Sequence, residues 1–491
     1  MDSLAFGTQV LVHLDLKGAP PRISYFEKFF PFLREIGITG ILLEWEDTFP
    51  YTKELMSLGG LSYGALASGS PYSIEDAKQI LQIAADCGLT VIPLLQTFGH
   101  FEFVLKHEQW RCLREVEAYP SSMCPLKSGT MPLIRSLIKQ IIAFHPDIQY
   151  IHIGADEVWH LGLCPECSRK AQSSKHGKAS LFLDHVTSVA QYIKDNFPNL
   201  KIIMWDDMLR NIDITALQEY FIGNLVEPMV WHYNNKQTFS LGYTLWEKYS
   251  NIFSHIWGAS AFKGASGSCQ IVPVNKHYVE NHEAWLSELG VHGSKIHSFR
   301  GIVLTGWSRY DHYATLCELL PTAVPSLALC LKTWQSGGYT QQIHDSVSKF
   351  LGYTEPPLYL QSPIRPYSIA HELSFPGWQI LVGVEWFVNI KAKYRNIVDS
   401  DQVQTWFNQW QILNNYTNPM QIESILPVLT ELLLEVTTLE NFLKTNLDMF
   451  FFPSTAEEFL GTWLTPIKQQ ISQLKCDCET QISIGCRVRV F

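Results

Sequence analysis

Tyr150-Ile-His-Ile-Gly-Ala-Asp-Glu-Val-Trp-His-Leu-Gly162 is the stretch on which the reading of this chain turns. Tyr150, Ile151 and Ile153 supply the aromatic and β-branched content of a buried strand. Gly154-Ala155 then removes bulk where a ligand or a second backbone would approach, and the acidic pair Asp156-Glu157 follows at once. Side chains alternate across a strand, but at a strand end the chain is already turning, so both carboxyl groups can reach one pocket. Like charges held close in a partly dry site push two pKa values apart, leaving one carboxyl protonated as a general acid and the other ionised as an electrostatic partner. Such a pair suits the splitting of a glycosidic bond. An arbitrary Asp-Glu more often opens a loop or caps a helix, and it is the apolar run in front that shifts the balance here.

Outward from this stretch, strand-like and helix-like segments alternate. Strands are expected over 10–15, 40–44, 90–96, 150–153, 201–207, 229–233, 252–258 and 301–307. Between them lie amphipathic helices over 25–36, 73–87, 132–144, 179–196, 214–220, 244–249 and 276–289, with the last of the set at 313–331. The second opens with the N-cap pattern Ser73-Ile-Glu-Asp76 and closes at Gly88. Eight strand–helix units without Asn-Gly hairpins are the sequence form of an α/β fold, a (β/α)8 barrel, here over 1–352. Prolines 356, 357, 363, 366 and 376 mark a linker over 353–378. A helical bundle follows over 379–475, in which Leu429, Leu432, Val436, Leu439 and Leu443 make a narrow apolar stripe for docking on the barrel or, as the lesser alternative, for a dimer seam. Residues 476–491 read as a tail.

Polar and aromatic residues gather at the strand ends, where a barrel carries its active site. They are His13 and Asp15, Glu44, Gln96 with His100, His152 with Asp156 and Glu157, and Trp205 with Asp206. The later strands add Trp231 with Tyr233, Trp257, and Trp307 with Tyr310 and Asp311. Each alone reads more readily as a packed Trp or a capping Asp; eight strand ends in register do not.

Composition narrows the chemistry. Forty-seven acidic residues against 37 basic ones give a net charge of −10, which argues against nucleic acid or an anionic membrane as partner. The 15 Trp and 20 Tyr offer flat faces on which sugar rings stack. The N-terminus has no cationic region or long apolar segment, so a cytoplasmic or nuclear chain is expected. The 11 cysteines, an odd number, read as reduced core thiols. Cys164-Pro-Glu-Cys167 lacks a second pair, which makes it a weak half-site for zinc, better read as a surface loop; no metal or cofactor is expected.

Several stretches in barrel order resemble glycoside hydrolase family 20, the β-N-acetylhexosaminidases, and most closely its intracellular branch. His152-Ile-Gly-Ala-Asp-Glu157 is similar to the family's His-x-Gly-x-Asp-Glu motif. It is joined by Leu11-Val-His-Leu-Asp-Leu-Lys-Gly-Ala-Pro-Pro21, Gln96-Thr-Phe-Gly-His-Phe-Glu-Phe103, Trp205-Asp-Asp-Met-Leu-Arg210 and Thr305-Gly-Trp-Ser-Arg-Tyr-Asp-His-Tyr313. The likeness covers about 1–350. It implies an exo-hydrolase of terminal β-linked GalNAc or GlcNAc on N-acetylhexosaminide glycans, acting as monomer or homodimer, in which Glu157 is general acid and then base. By the same resemblance Asp156 orients and stabilises the 2-acetamido group, which replaces an enzyme nucleophile. Trp205, Trp231 and Trp307 would box the sugar and its acetamido methyl, and Tyr233 or Tyr310 would bond the acetamido oxygen. The branch implies galactosaminide favoured over glucosaminide. The sequence departs from secreted relatives in offering His13, Asp15 and Lys17 where they often have an arginine. It also has Trp257-Gly-Ala259 and Trp307-Ser-Arg309 where they often show Tyr-x-Asp and Trp-x-Glu, and no α/β domain is expected ahead of the barrel.

Two other readings stand beside this one. A metal-dependent amidohydrolase barrel would use His13, His100, His152 and Asp156, but its first strand should carry His-x-His and this one has His13-Leu-Asp15. A catalytically silent glycan-binding barrel would use the tryptophans alone, and the intact Asp156-Glu157 pair argues against it.

Overall fold

The computed structural model describes residues 9–59, 71–353 and 373–486. Eight parallel strands close into a barrel: β1 (Gln9–Asp15), β2 (Gly40–Glu44), β3 (Thr90–Leu94), β6 (Tyr150–His152), β7 (Lys201–Trp205), β8 (Glu227–Trp231), β9 (Ile256–Lys263) and β10 (Phe299–Gly306). β1 pairs with both β2 and β10, which completes the ring. A two-stranded antiparallel hairpin, β4 (Arg114–Val116) and β5 (Tyr119–Met123), interrupts the long connection between β3 and the helix Thr130–Phe144. The helical C-terminal region follows the barrel, as expected.

Barrel strands are buried on both faces, so they read as continuous apolar runs, and helices cover the outside. Leu11, Leu42, Ile92, Ile203, Met229 and Val303 fill the interior. The helix Ile23–Ile36 shows how the outer layer is held: Tyr25, Phe26, Phe29, Phe30 and Leu33 are fully buried. Each such side chain contributes about 1.5–3 kcal/mol of transfer free energy.

Three elements differ from expectation. β9 begins at Ile256, not 252, because Ile252 and Phe253 hydrogen-bond back to Tyr249 and finish the preceding helix. Gly258 does not end that strand. A Cβ there would lie 2.9 Å from the Phe299 ring, so the glycine serves close strand packing, and β9 continues through buried residues to Lys263. The last barrel helix starts at Val324 rather than 313, after a 3-10 turn at Leu320–Ala323, because Pro321 and Pro325 fit only first-turn positions. Residues 307–319 are thereby released as a loop over the barrel mouth. Finally, the expected tail is helical to Ile484, held by buried Cys478 and Gln481.

Residues 354–372 of the expected linker lie outside the described residues. Beyond them the helices Trp378–Val398, Ile425–Phe450 and Thr465–Ile484 pack together. The stripe from Leu429 to Leu443 is buried, and Leu432, Val436, Leu439 and Leu443 join the core that the barrel helices share. Arg22 bonds the carbonyls of Asp448 and Phe451, and Arg309 meets Glu458 at 2.7 Å, so this region reaches the loops of the barrel mouth.

Candidate active site

A cavity of about 450 Å³ opens at the carboxyl ends of the strands. Its acidic centre follows β6. The strand stops at His152, and Gly154, Ala155 and Glu157 take left-handed backbone angles, φ 64°, 69° and 44°. The two non-glycine residues are held there at a cost of about 1 kcal/mol or more each. This turn aims Asp156 and Glu157 into the same cavity, although on a continuing strand they would diverge. Two glycines let the neighbouring loop close against it. A Cβ at Gly154 would meet the Gln96 Oε1 at 1.9 Å, and one at Gly99 would meet the Asp156 carbonyl oxygen at 2.0 Å.

That neighbouring loop, after β3, delivers His100, itself at φ 47°. Its Nε2 lies 3.0 Å from Glu157 Oε2 and 3.6 Å from Asp156 Oδ2. Burial alone would lower the imidazole pKa, but Asp156, the Glu157 hydrogen bond and Glu102 raise it to about 10. Burial drives the Asp156 carboxyl up to about 7 against the pull of His100, with Asp207 and Glu157 pushing the same way. Its Oδ1 is buried and has no hydrogen-bond partner, an acceptor left for something in the cavity. Asp156 is only 6% exposed, which is why burial outweighs the neighbouring imidazole at this carboxyl.

Behind Glu157 stands Asp207. Its Oδ2 accepts from the Glu157 backbone N–H at 2.9 Å and its Oδ1 from Trp231 Nε1 at 3.2 Å, so it braces the acidic turn and an aromatic wall together. Asp206 faces away. It holds Arg210 by two 2.7 Å bonds and accepts from Tyr249, while the Arg210 guanidinium lies 5.2 Å over the Trp231 ring and lines the cavity.

The rest of the wall is aromatic and charged. Trp205 forms the floor against Trp307, ring centroids 5.9 Å apart, and Trp231 stacks on Tyr233 at 5.1 Å. Burial pushes the Tyr233 phenol up, so it remains a neutral donor. On the far side Lys17 sits 2.8 Å from Asp15 and 5.4 Å over the Trp307 ring. Burial would lower the Lys17 ammonium, but Asp15, Glu46 and Glu44 hold it well above an ordinary lysine. Glu44 Oε2 accepts from His13 Nε2 at 2.9 Å, and its Oε1 is buried without a partner.

Residues 45–253 match the sequence profile of the glycosyl hydrolase family 20 catalytic domain. Hexosaminidase D of Homo sapiens is 37% identical over 470 residues, spanning 95% of this chain and 93% of that protein. The chain belongs to glycoside hydrolase family 20. It is a glycoside hydrolase of the β-hexosaminidase kind. Hexosaminidase D of Bos taurus is 42% identical over 343 residues, 70% of this chain and 96% of that protein. The β-N-acetylhexosaminidase of Bacteroides fragilis superposes with a TM-score of 0.48 at 16% identity, over 66% of this chain and 65% of that one.

Within this family-20 barrel, the cavity brings together Glu44, Gln96, His100, Asp156, Glu157 and Trp205, and from the later strands Trp231, Tyr233, Trp307 and Tyr310. His13, Asp15, His152 and Asp206 lie behind the wall. His152 lies tilted against Trp205, ring centroids 4.5 Å apart, and its Nδ1 accepts from the Gly154 N–H, which fixes the acidic turn from below. Two expected site residues are elsewhere. Trp257 stands at the start of β9, the opposite end of the barrel, where its Nε1 donates to Glu227 and its ring lines a separate cavity of about 750 Å³. Asp311 turns outward and accepts from the backbone N–H groups of Tyr313 and Ala314. The four residues behind the amidohydrolase reading do not form one ligand set, since His13 pairs with Glu44 and His152 with its own turn. Arg210, His232, Asn234 and Arg309, which line the cavity, were missed, while Lys17 and Asp207 stood at expected strand ends without being assigned to the site. The Asp206-Asp207 pair was visible, but which of the two braces Glu157 depends on how the chain leaves β7. The family comparison at the seventh barrel strand belongs at Lys263-Gly-Ala265, not at Trp257.

Proposed function

We propose that this chain is a retaining exo-β-N-acetylhexosaminidase that removes terminal β-linked GalNAc or GlcNAc with the help of the substrate's own acetamido group. The observation that carries the reading is the adjacent Asp156 and Glu157, turned into one aromatic-walled cavity by a left-handed backbone. Glu157, the more exposed of the two, gives a proton to the leaving glycosidic oxygen as the C–O bond breaks. The acetamido oxygen closes on the anomeric carbon from the opposite face, forming an oxazolinium ring. Asp156 accepts the acetamido N–H through Oδ1, which has no protein partner, and its charge offsets the positive charge that develops. Glu157 then takes a proton from water, which attacks the same carbon as its bond to the acetamido oxygen breaks, regenerating the acetamido group and restoring the original configuration. Trp205, Trp231 and Trp307 enclose the ring and methyl group, and Tyr233 supplies a neutral O–H donor to the acetamido oxygen.

The test is nitrophenol release from matched β-GalNAc, β-GlcNAc and β-glucose glycosides by wild type, Asp156→Asn and Glu157→Gln. Turnover confined to the acetamido sugars and collapsing in both variants is expected. Equal hydrolysis of the glucoside overturns the acetamido mechanism, and full turnover by Glu157→Gln overturns the assignment of the acid.

A further inference from the structure

Outside the sugar cavity, three cysteines and a carboxylate converge from segments far apart in sequence. Glu115 comes from β4, Cys124 directly follows β5, and Cys164 and Cys167 open the helix Pro165–Ser173. One ligand atom from each lies within 4.8 Å of all the others. The Cys124 sulfur is 3.8 Å from that of Cys164 and 3.5 Å from that of Cys167.

These separations discriminate between readings. A disulfide requires sulfurs about 2.05 Å apart and uses two of them. It gives no role to a third thiol or to a buried acid. A tetrahedral zinc with Zn–S bonds of about 2.3 Å sets its sulfur ligands about 3.8 Å apart, close to the 3.8 and 3.5 Å found here. The carboxylate fits the fourth corner. Glu115 Oε1 accepts from the backbone N–H groups of Leu163 and Cys164, at 2.6 and 2.8 Å, while Oε2 is buried and accepts from no N–H or O–H group. The Cys164 sulfur accepts from the Cys167 N–H at 3.3 Å, which fixes its direction at the start of the helix. Three soft sulfurs select zinc over magnesium or calcium.

We infer that Glu115, Cys124, Cys164 and Cys167 form a closed, four-coordinate structural zinc site. Cys164-Pro-Glu-Cys167 supplies half of it, and the β4–β5 hairpin supplies the other half from about 40 residues upstream. The site clamps together the two connections that carry the acidic centre. One, after β3, holds His100 and the hairpin; the other, after β6, runs from Glu157 to Cys164. The same two connections also meet at the His100–Glu157 pair, where Gly99 packs against the Asp156 carbonyl, and where Tyr119 stacks on His160. The metal takes no part in sugar chemistry and fixes the loops on which that chemistry stands.

The chain, purified with reductant but without chelator or added metal, is expected to carry about one zinc per molecule by elemental mass spectrometry. Cys124→Ser and the double change Cys164→Ser with Cys167→Ser are expected to carry about none, and Glu115→Cys to retain it. Cobalt exchanged into the wild type should give the intense visible bands of tetrahedral thiolate coordination, a readout that stands even if the cysteine variants fail to fold. Metal removal should lower Tm. Wild-type zinc no higher than in the double variant, with a featureless cobalt spectrum, overturns the site. So does a stoichiometric disulfide among the three cysteines in protein kept reduced.

Discussion

Replacing His100 tests the electrostatics of the acidic centre. His100→Asn is the suitable change, because the position has φ 47° and asparagine tolerates that region better than other uncharged residues. Its Nε2 is 3.6 Å from Asp156 Oδ2. Two unit charges at that distance interact by roughly 4–5 kcal/mol at an effective dielectric near 20. The His100 side chain is 23% exposed, and water screening reduces this to about 2 kcal/mol, or about 1.5 pH units. His100 lowers the Asp156 pKa, so removing its charge must raise that pKa from about 7 to between about 8 and 9. The acid limb of kcat/KM, which reports the free enzyme, should move to higher pH by about one to two units. Activity at neutral pH should fall about tenfold or more and return as the pH is raised. Stopped assays on a nitrophenyl N-acetyl-β-hexosaminide over the pH range of the folded protein would measure it. A limb that stays within about 0.3 unit of wild type, or a loss that higher pH does not recover, refutes the coupling of His100 to Asp156.

Three further outcomes follow from the geometry. Asp156 carries a folded-state pKa raised to about 7 from an ordinary 3.8, so its ionisation destabilises the fold progressively as pH rises from about 4 to about 7. Asp156→Asn should therefore gain about 1–2 kcal/mol above pH 7, discounted because His100 loses a partner, and gain nothing below about pH 4; thermal melts across pH would reveal it. Asp207→Ala frees the Glu157 backbone N–H and should lower kcat by about ten- to a hundredfold with a smaller change in KM, as steady-state kinetics would record. Trp257→Leu should lower stability by about 2–4 kcal/mol in denaturant titrations and leave KM unchanged, whereas Trp231→Leu should raise KM; a raised KM for Trp257→Leu would return that residue to the cavity.

The legible parts of this protein are those whose cause is local. The runs at Gly40–Glu44 and Lys201–Trp205 read as buried strands because both faces of a barrel strand are covered. Ser73 was legible as an N-cap because its hydroxyl and the Asp76 carboxylate form a capping box within four residues. The β4–β5 hairpin carries no tight-turn signature and was not legible. Trp257 misled because an apolar run followed by glycine looks like a strand end, and only the distance from Gly258 to Phe299 reveals a packing glycine inside a strand.

By itself the sequence determined the eight-fold alternation of strands and helices, the helical C-terminal region and the family, since periodicity and motif are written along the chain. Tertiary structure decided which member of each neighbouring pair does what. Asp207 rather than Asp206 braces Glu157, and burial raises the Asp156 carboxyl. Cys124 and Glu115 come to lie beside Cys164 and Cys167. The physical reason is the same in each case: burial, field and ligand distance are set by groups tens of residues away, and no local pattern records them.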